Sequence, residues 1–102
     1  MEAILQVAEI PYDTGEVKYR YMRYLSQDNT QWIRHGLFCR YHRNGNLASE
    51  GNYEHGAEEG LWIDYHENGV KAAEGYFRNG AETGTWSYWR SDGSAEEPEV
   101  FE

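Results

Sequence analysis

The sequence predicts an all-β protein built of repeated hairpins, with no interior helix longer than about two turns. Three observations predict it. The stretch Gly60 to Gly80 recurs 24 residues earlier at Gly36 to Gly56: Trp62 falls on Phe38, Tyr65 on Tyr41, His66 on His42, Asn68-Gly69 on Asn44-Gly45 and Glu74-Gly75 on Glu50-Gly51. So many matches at one spacing without a gap mark an internal repeat. Each copy carries Asn-Gly between β-leaning runs, the pair favoured in two-residue hairpin turns of type I′. Finally, aromatic residues reach 16% while mean hydropathy is only −0.92. That balance suits an open sheet stabilised by flat rings better than a globule with an aliphatic centre.

In chain order, Ala3 to Ile10 is apolar and β-leaning and reads as a capping strand, with a short helix as the alternative. Its basic residues are absent and it carries two glutamates nearby, so it does not read as a signal peptide. Tyr12 to Val17 resembles the turn half of another unit. Lys18 to Leu25 is rich in strand formers. Gln27-Asp28-Asn29-Thr30 supplies turn chemistry, and Gln31 to Arg34 opens the next strand. Gly15 and Gly45 stand 30 residues apart, six more than the period, which places an insertion near Asp28.

Folding about Asn44-Gly45 sets Phe38 across from Gly51 and Tyr41 across from Ala48. Folding about Asn68-Gly69 sets Trp62 across from Gly75 and Tyr65 across from Ala72. A large ring then faces a glycine or alanine, which it can cover. One period on, Gly84, Trp86, Trp89 and Asp92-Gly93 still match. Trp86 there falls across from Glu99 and Trp89 across from Glu96, and Pro98 removes a ladder donor. The third unit is half a repeat with a worn cap. The chain is one domain: a degenerate N-terminal cap (1–35), clean repeats (36–93) and a loose acidic tail (94–102), from which Val100 and Phe101 can tuck onto the sheet.

The pattern Gly-x-Trp-x-x-Tyr-x-x-Asn-Gly, then Glu-Gly-x-Tyr/Phe-x-x-Gly, resembles the MORN-repeat variant of bacterial antitoxin and immunity-type proteins, over roughly Gly36 to Gly93. The departures are Phe38 for the usual Trp, His55-Gly56 for Asn-Gly, and the degenerate third unit. The resemblance implies a curved, single-layer antiparallel β-meander that works by binding protein, with no catalytic residues to carry over.

Several chemistries are disfavoured. His42 and His66 are equivalent residues two strands apart, roughly 9.5 Å, too far to share an ion bound at about 2.1 Å. Glu50 and Glu74 repeat at the same separation, and one sheet layer offers little enclosure to tune either. No nucleophile elbow, phosphate loop, dinucleotide fingerprint or Cys-x-x-Cys is present. The expectation is a non-enzyme without cofactor or metal. No apolar run of about 18 residues exists to span a membrane as a helix. The single cysteine, Cys39, reads as a small apolar strand residue, and its lack of a partner points to a reducing, cytoplasmic home.

Charge is lopsided. Residues 1–43 hold six Lys/Arg against five Asp/Glu; residues 44–102 hold three against thirteen, a net of −10. Such a surface repels nucleic acid and anionic lipid and attracts a basic protein, although charge also guards exposed sheet edges. The resemblance to the MORN-repeat variant implies that this partner is a basic toxin or effector enzyme, neutralised by an immunity or antitoxin protein; a scaffolding module is the alternative. Oligomeric state stays open. The candidate contacts are Trp62, Asp64 and Trp86 on one face and Glu50 and Glu74 on the other, with Glu58-Glu59 read as an acidic loop and Glu82 serving either face.

Overall fold

The computed structural model describes residues 4–102. Eight strands follow one another: β1 (Gln6–Pro11), β2 (Val17–Leu25), β3 (Trp32–Tyr41), β4 (Leu47–Glu54), β5 (Ala57–Tyr65), β6 (Lys71–Arg78), β7 (Ala81–Tyr88) and β8 (Glu99–Phe101). All neighbours pair antiparallel, and the order across the sheet is the order in the chain. The molecule is a slab of 47 × 39 × 16 Å: a single-layer meander of repeated hairpins. The N-terminal run is strand, not helix, although Ala3 lies outside the described residues. The segment read as a loose tail contributes β8, and Phe101 packs on the core.

The register across the repeats is the expected one, with Phe38 opposite Gly51, Trp62 opposite Gly75 and Trp86 opposite Glu99. The turns that produce it are not. Gly45 and Gly69 have positive φ, while Asn44 and Asn68 do not. His66 N–H donates to the Val70 carbonyl and Gly69 N–H to the His66 carbonyl, enclosing a three-residue loop. This is a type I turn closed by a left-handed glycine, not type I′. A bulge at Ala72 then displaces the pairing by one residue the other way, so the two shifts cancel in the strand body. The bulges leave Tyr41 opposite Leu47, Tyr65 opposite Lys71 and Trp89 opposite Ala95, one residue off the expected Ala48, Ala72 and Glu96. True type I′ geometry, with both central residues at positive φ, sits at the opposite end of the strands, in His55-Gly56 and Asn79-Gly80. The insertion lies between β2 and β3: Ser26–Gln31 replaces a two-residue turn, and β2 plus β3 total 19 residues where β4 plus β5 total 17.

Asn and His at the three-residue turns staple one repeat to the next. Asn68 accepts from Val70 N–H and donates to the Ser91 carbonyl at 2.7 Å; Asn44 donates to the Glu67 carbonyl at 2.8 Å. His42 and His66 donate through Nε2 to the carbonyls of Tyr65 and Trp89 at 2.8 and 2.7 Å. These bonds explain why both residue types recur with the period.

The core is a ladder of rings on one face. Tyr21, Phe38, Trp62 and Trp86 are buried with Ala8 and Ala73, and Tyr53, Phe77 and Phe101 pack among them. The rings meet edge to face: Tyr53–Trp62 at 5.4 Å, Trp62–Phe77 at 5.8 Å and Phe77–Trp86 at 5.1 Å. Trp62 and Trp86 each cover the glycine of the strand before them, so Trp62 lies over Gly51 and not over Gly75, its partner within the hairpin. A Cβ added to Gly51 would stand 2.2 Å from the Trp62 ring, and one added to Gly75 would stand 2.1 Å from Trp86. The cause is a bulge between β4 and β5, and between β6 and β7, beside each Trp. The ring folds back there, and its indole N–H donates to the carbonyl of Asn52 (from Trp62) or Tyr76 (from Trp86). In β2 the equivalent residue is Tyr21, and there the residue opposite is the smaller Phe38.

Candidate functional site

The face opposite the ring ladder carries the surface most suited to binding. Its origin is a repeated local event. Gly36 and Gly60 have φ near +100° and +80°, a conformation that favours glycine, and each forms part of a bulge. Strand alternation then sends the following aromatic, Phe38 or Trp62, to the ring face and leaves Leu37 or Leu61 on the other. Leu37 and Leu61 are 49% and 42% exposed.

Cross-strand pairing extends these two leucines into a row. Val7 pairs with Met22, Leu37 with Asn52, Leu61 with Tyr76 and Thr85 with Val100, and bulges between β2 and β3, β4 and β5, and β6 and β7 join these pairs. Val7, Tyr76 and Val100 are exposed as well. Seven strand spacings make the row roughly 34 Å long. Asn52 and Thr85 interrupt the row, and Leu61 with Tyr76 is its exposed apolar pair, which means more than side chains scattered singly.

The adjacent level is polar. It runs Arg20, Cys39, Glu50, Ile63, Glu74, Ser87 from β2 to β7. Glu50 and Glu74 thus flank Ile63 on the same face as the leucines. A shallow groove of about 280 Å³ joins the two levels, lined by Leu37, Glu50, Asn52, Glu59, Leu61 and Ile63. Glu50 accepts from the Tyr65 hydroxyl at 3.2 Å, and Glu74 meets Lys71 at 3.2 Å. Burial, and then the Glu50 carboxylate, push the Tyr65 phenol above its ordinary range. Burial likewise raises the Cys39 thiol, keeping it protonated and unreactive.

The candidate residues therefore separate. Glu50 and Glu59 line the groove, and Glu74 lies beside it, opposite Ile63. Asp64 lies on the ring face and accepts from Ser49, itself bonded to Arg40. Glu58 and Glu82 pair with Tyr53 and Phe77 and so share the ring face. Glu58 and Glu59 belong to β5, not to a loop, and Glu59 accepts from Asn79 N–H at 3.0 Å. Trp62 and Trp86 are only 7% and 4% exposed. Read from the sequence as partner contacts, they lie with their rings over Gly51 and Gly75. The exposed residues Leu37, Leu61 and Tyr76 escape a reading that follows the Trp positions of the repeat. Their signal is the apolar residue of Gly-x-Phe/Trp recurring with the period.

A second trough, of about 550 Å³, opens on the ring face beside Trp32, Arg34, Tyr53 and Glu58. The Arg34 guanidinium sits 4.9 to 5.4 Å from the ring centroids of Tyr21, Phe38 and Tyr53, so it is engaged in the core. Among the described residues no group of three or more His, Cys, Asp or Glu is placed to hold a metal ion.

Residues 34–55 and 58–79 match the family model of the MORN repeat variant. No curated protein and no solved structure matches the chain. The two matched segments begin in β3 and β5 and end at the type I′ turns, so each spans one outgoing and one returning strand. Over these two segments the chain is similar to that repeat.

Proposed function

We propose that this chain of MORN-like repeats works by binding another protein, and that it is an immunity or antitoxin protein that neutralises a cognate basic toxin. The observation that carries the reading is the exposed row of Leu37, Leu61 and Tyr76 set beside Glu50, Glu59 and Glu74. Apolar contacts at the centre with charge at the margin is the anatomy of a protein interface. Residues 44–102, which supply most of this surface, carry a net −10 and would steer a basic partner to it. In this reading the chain is a cytoplasmic binding protein, not an enzyme, and its partner is neither nucleic acid nor membrane.

Scaffolding is the second reading, favoured by the open outer edge of β1, to which further strands can add. The two readings separate on a binding measurement with the product of the neighbouring reading frame. Association should slow with added salt, and should slow further in Glu50→Gln/Glu74→Gln, because marginal charges act on the on-rate. An association rate indifferent to both would remove the electrostatic argument. No binding at all would leave scaffolding as the better reading.

A further inference from the structure

The two edges of the sheet are not alike. At the C-terminal edge, β8 is three residues long. Pro98 precedes it, and Glu96, Glu97, Glu99 and Glu102 surround it. Short length, proline and charge are the devices that stop an edge from pairing with another chain. The N-terminal edge lacks them over most of its length. Ile4 is 84% exposed, Leu5 42%, Val7 64% and Ile10 41%. Pro11 comes only at the end of the strand, and the single charge on β1, Glu9, is tied to Arg20 at 2.6 Å. Every other strand of the meander is paired on both sides, apart from β8 and the start of β7.

We infer that β1 pairs antiparallel with β1 of a second copy of this chain, joining two sheets into one of sixteen strands. Charge selects this occupant. The half of the chain next to β1 carries a net +1 and the far half a net −10. A β1–β1 junction therefore keeps the two acidic halves at opposite ends. Pairing through β8 would bring them together, and a β1–β8 contact would propagate without closing. The two-fold axis stands perpendicular to the sheet, so each face meets its equivalent. Val7 of one copy then shares a face with Val7 of the other, as Ile10 does with Ile10. The inference stands apart from the identity of any toxin, since it concerns the chain alone.

Sedimentation of the full chain over micromolar to sub-millimolar concentrations tests it. Wild type should reach twice the 11.9 kDa chain mass. Val7→Lys/Ile10→Lys, at two exposed positions, should stay at one chain mass with an unchanged far-UV spectrum and a melting temperature that, unlike that of wild type, does not rise with concentration. Val100→Lys, at the other edge, should still dimerise. In a Cys39→Ser background, spin labels at Gln6→Cys should lie closer across the dimer than labels at Val100→Cys. A monomer at every concentration, a Val7→Lys/Ile10→Lys dimer, or a closer Val100 pair would each overturn the inference. A monomer would point to a strand from a different protein as the occupant of that edge.

Discussion

The two faces of this sheet carry similar kinds of side chain and put them to different uses. On one, Trp62 and Trp86 lie over Gly51 and Gly75 and are buried. On the other, Leu37, Leu61 and Tyr76 stand at the same bulges with their surfaces in solvent. A single-layer sheet has no second layer to cover its rings, so backbone glycines take that role. A glycine beneath the ring is what lets Trp62 and Trp86 be buried on an open sheet.

The largest expected effect follows from that glycine. In Gly75→Val a Cβ would sit 2.1 Å from a ring atom of Trp86 that is anchored, not from a flexible tip. Overpacking costs about 1–3 kcal/mol, and displacing Trp86 also forfeits the indole bond to Tyr76, worth about 1 kcal/mol. Chemical denaturation should show a loss of about 2–4 kcal/mol, a large share of a small domain's stability. A Gly75→Val chain as stable as wild type would break the account of the ring face. In Trp86→Ala/Gly75→Val the added penalty of the valine should shrink, because the colliding partner is gone. The equivalent double with Trp62 should not show that relief.

A smaller effect is expected where the repeats are stapled. Asn68→Ala removes the side-chain bonds to Val70 and Ser91 at an exposed turn. A loss of about 1 kcal/mol is expected, measurable as a lowered melting temperature with the binding groove intact. Asp92, in the equivalent position of the last turn, bonds only within its own turn, to Ser94. Asp92→Ala should cost less than Asn68→Ala, and the reverse order would contradict the staple.

The smallest effect is alkaline. Burial, then the neighbouring Glu99 carboxylate, push the Tyr88 phenol up to about 12. An unfolded tyrosine titrates near about 10. The raised folded value means the neutral phenol favours folding. That contribution is complete below about pH 10 and is lost as pH rises through about 12. Melting temperature should fall across that window in wild type and fall less steeply in Tyr88→Phe. Equal slopes would exclude Tyr88 as the source.

Much of this was legible in the residues alone. The period, the strand order and the pairing of Trp62 with Gly75 follow from the spacing of Gly, Trp and Asn-Gly. The turn type was not, because Asn-Gly serves both a type I′ turn and a type I turn closed by a left-handed glycine. Only the backbone hydrogen bonds of His66 and Val70 distinguish them. Nor was the choice of glycine covered by each Trp, since it depends on a bulge that periodicity does not reveal. For the same reason Trp62 and Trp86 read as anchors while Leu61 and Tyr76 went unremarked.

The division of labour between the faces is tested most directly by two variants measured twice, for melting temperature and for affinity to the neighbouring reading frame's product. Leu61→Ser/Tyr76→Ser should melt close to wild type and lose roughly ten- to a hundredfold in affinity, as removal of exposed central anchors does. Trp62→Phe should melt lower and bind as wild type does. If Trp62→Phe abolishes binding at unchanged stability, or the Leu61/Tyr76 variant binds undiminished, the assignment of the faces is wrong.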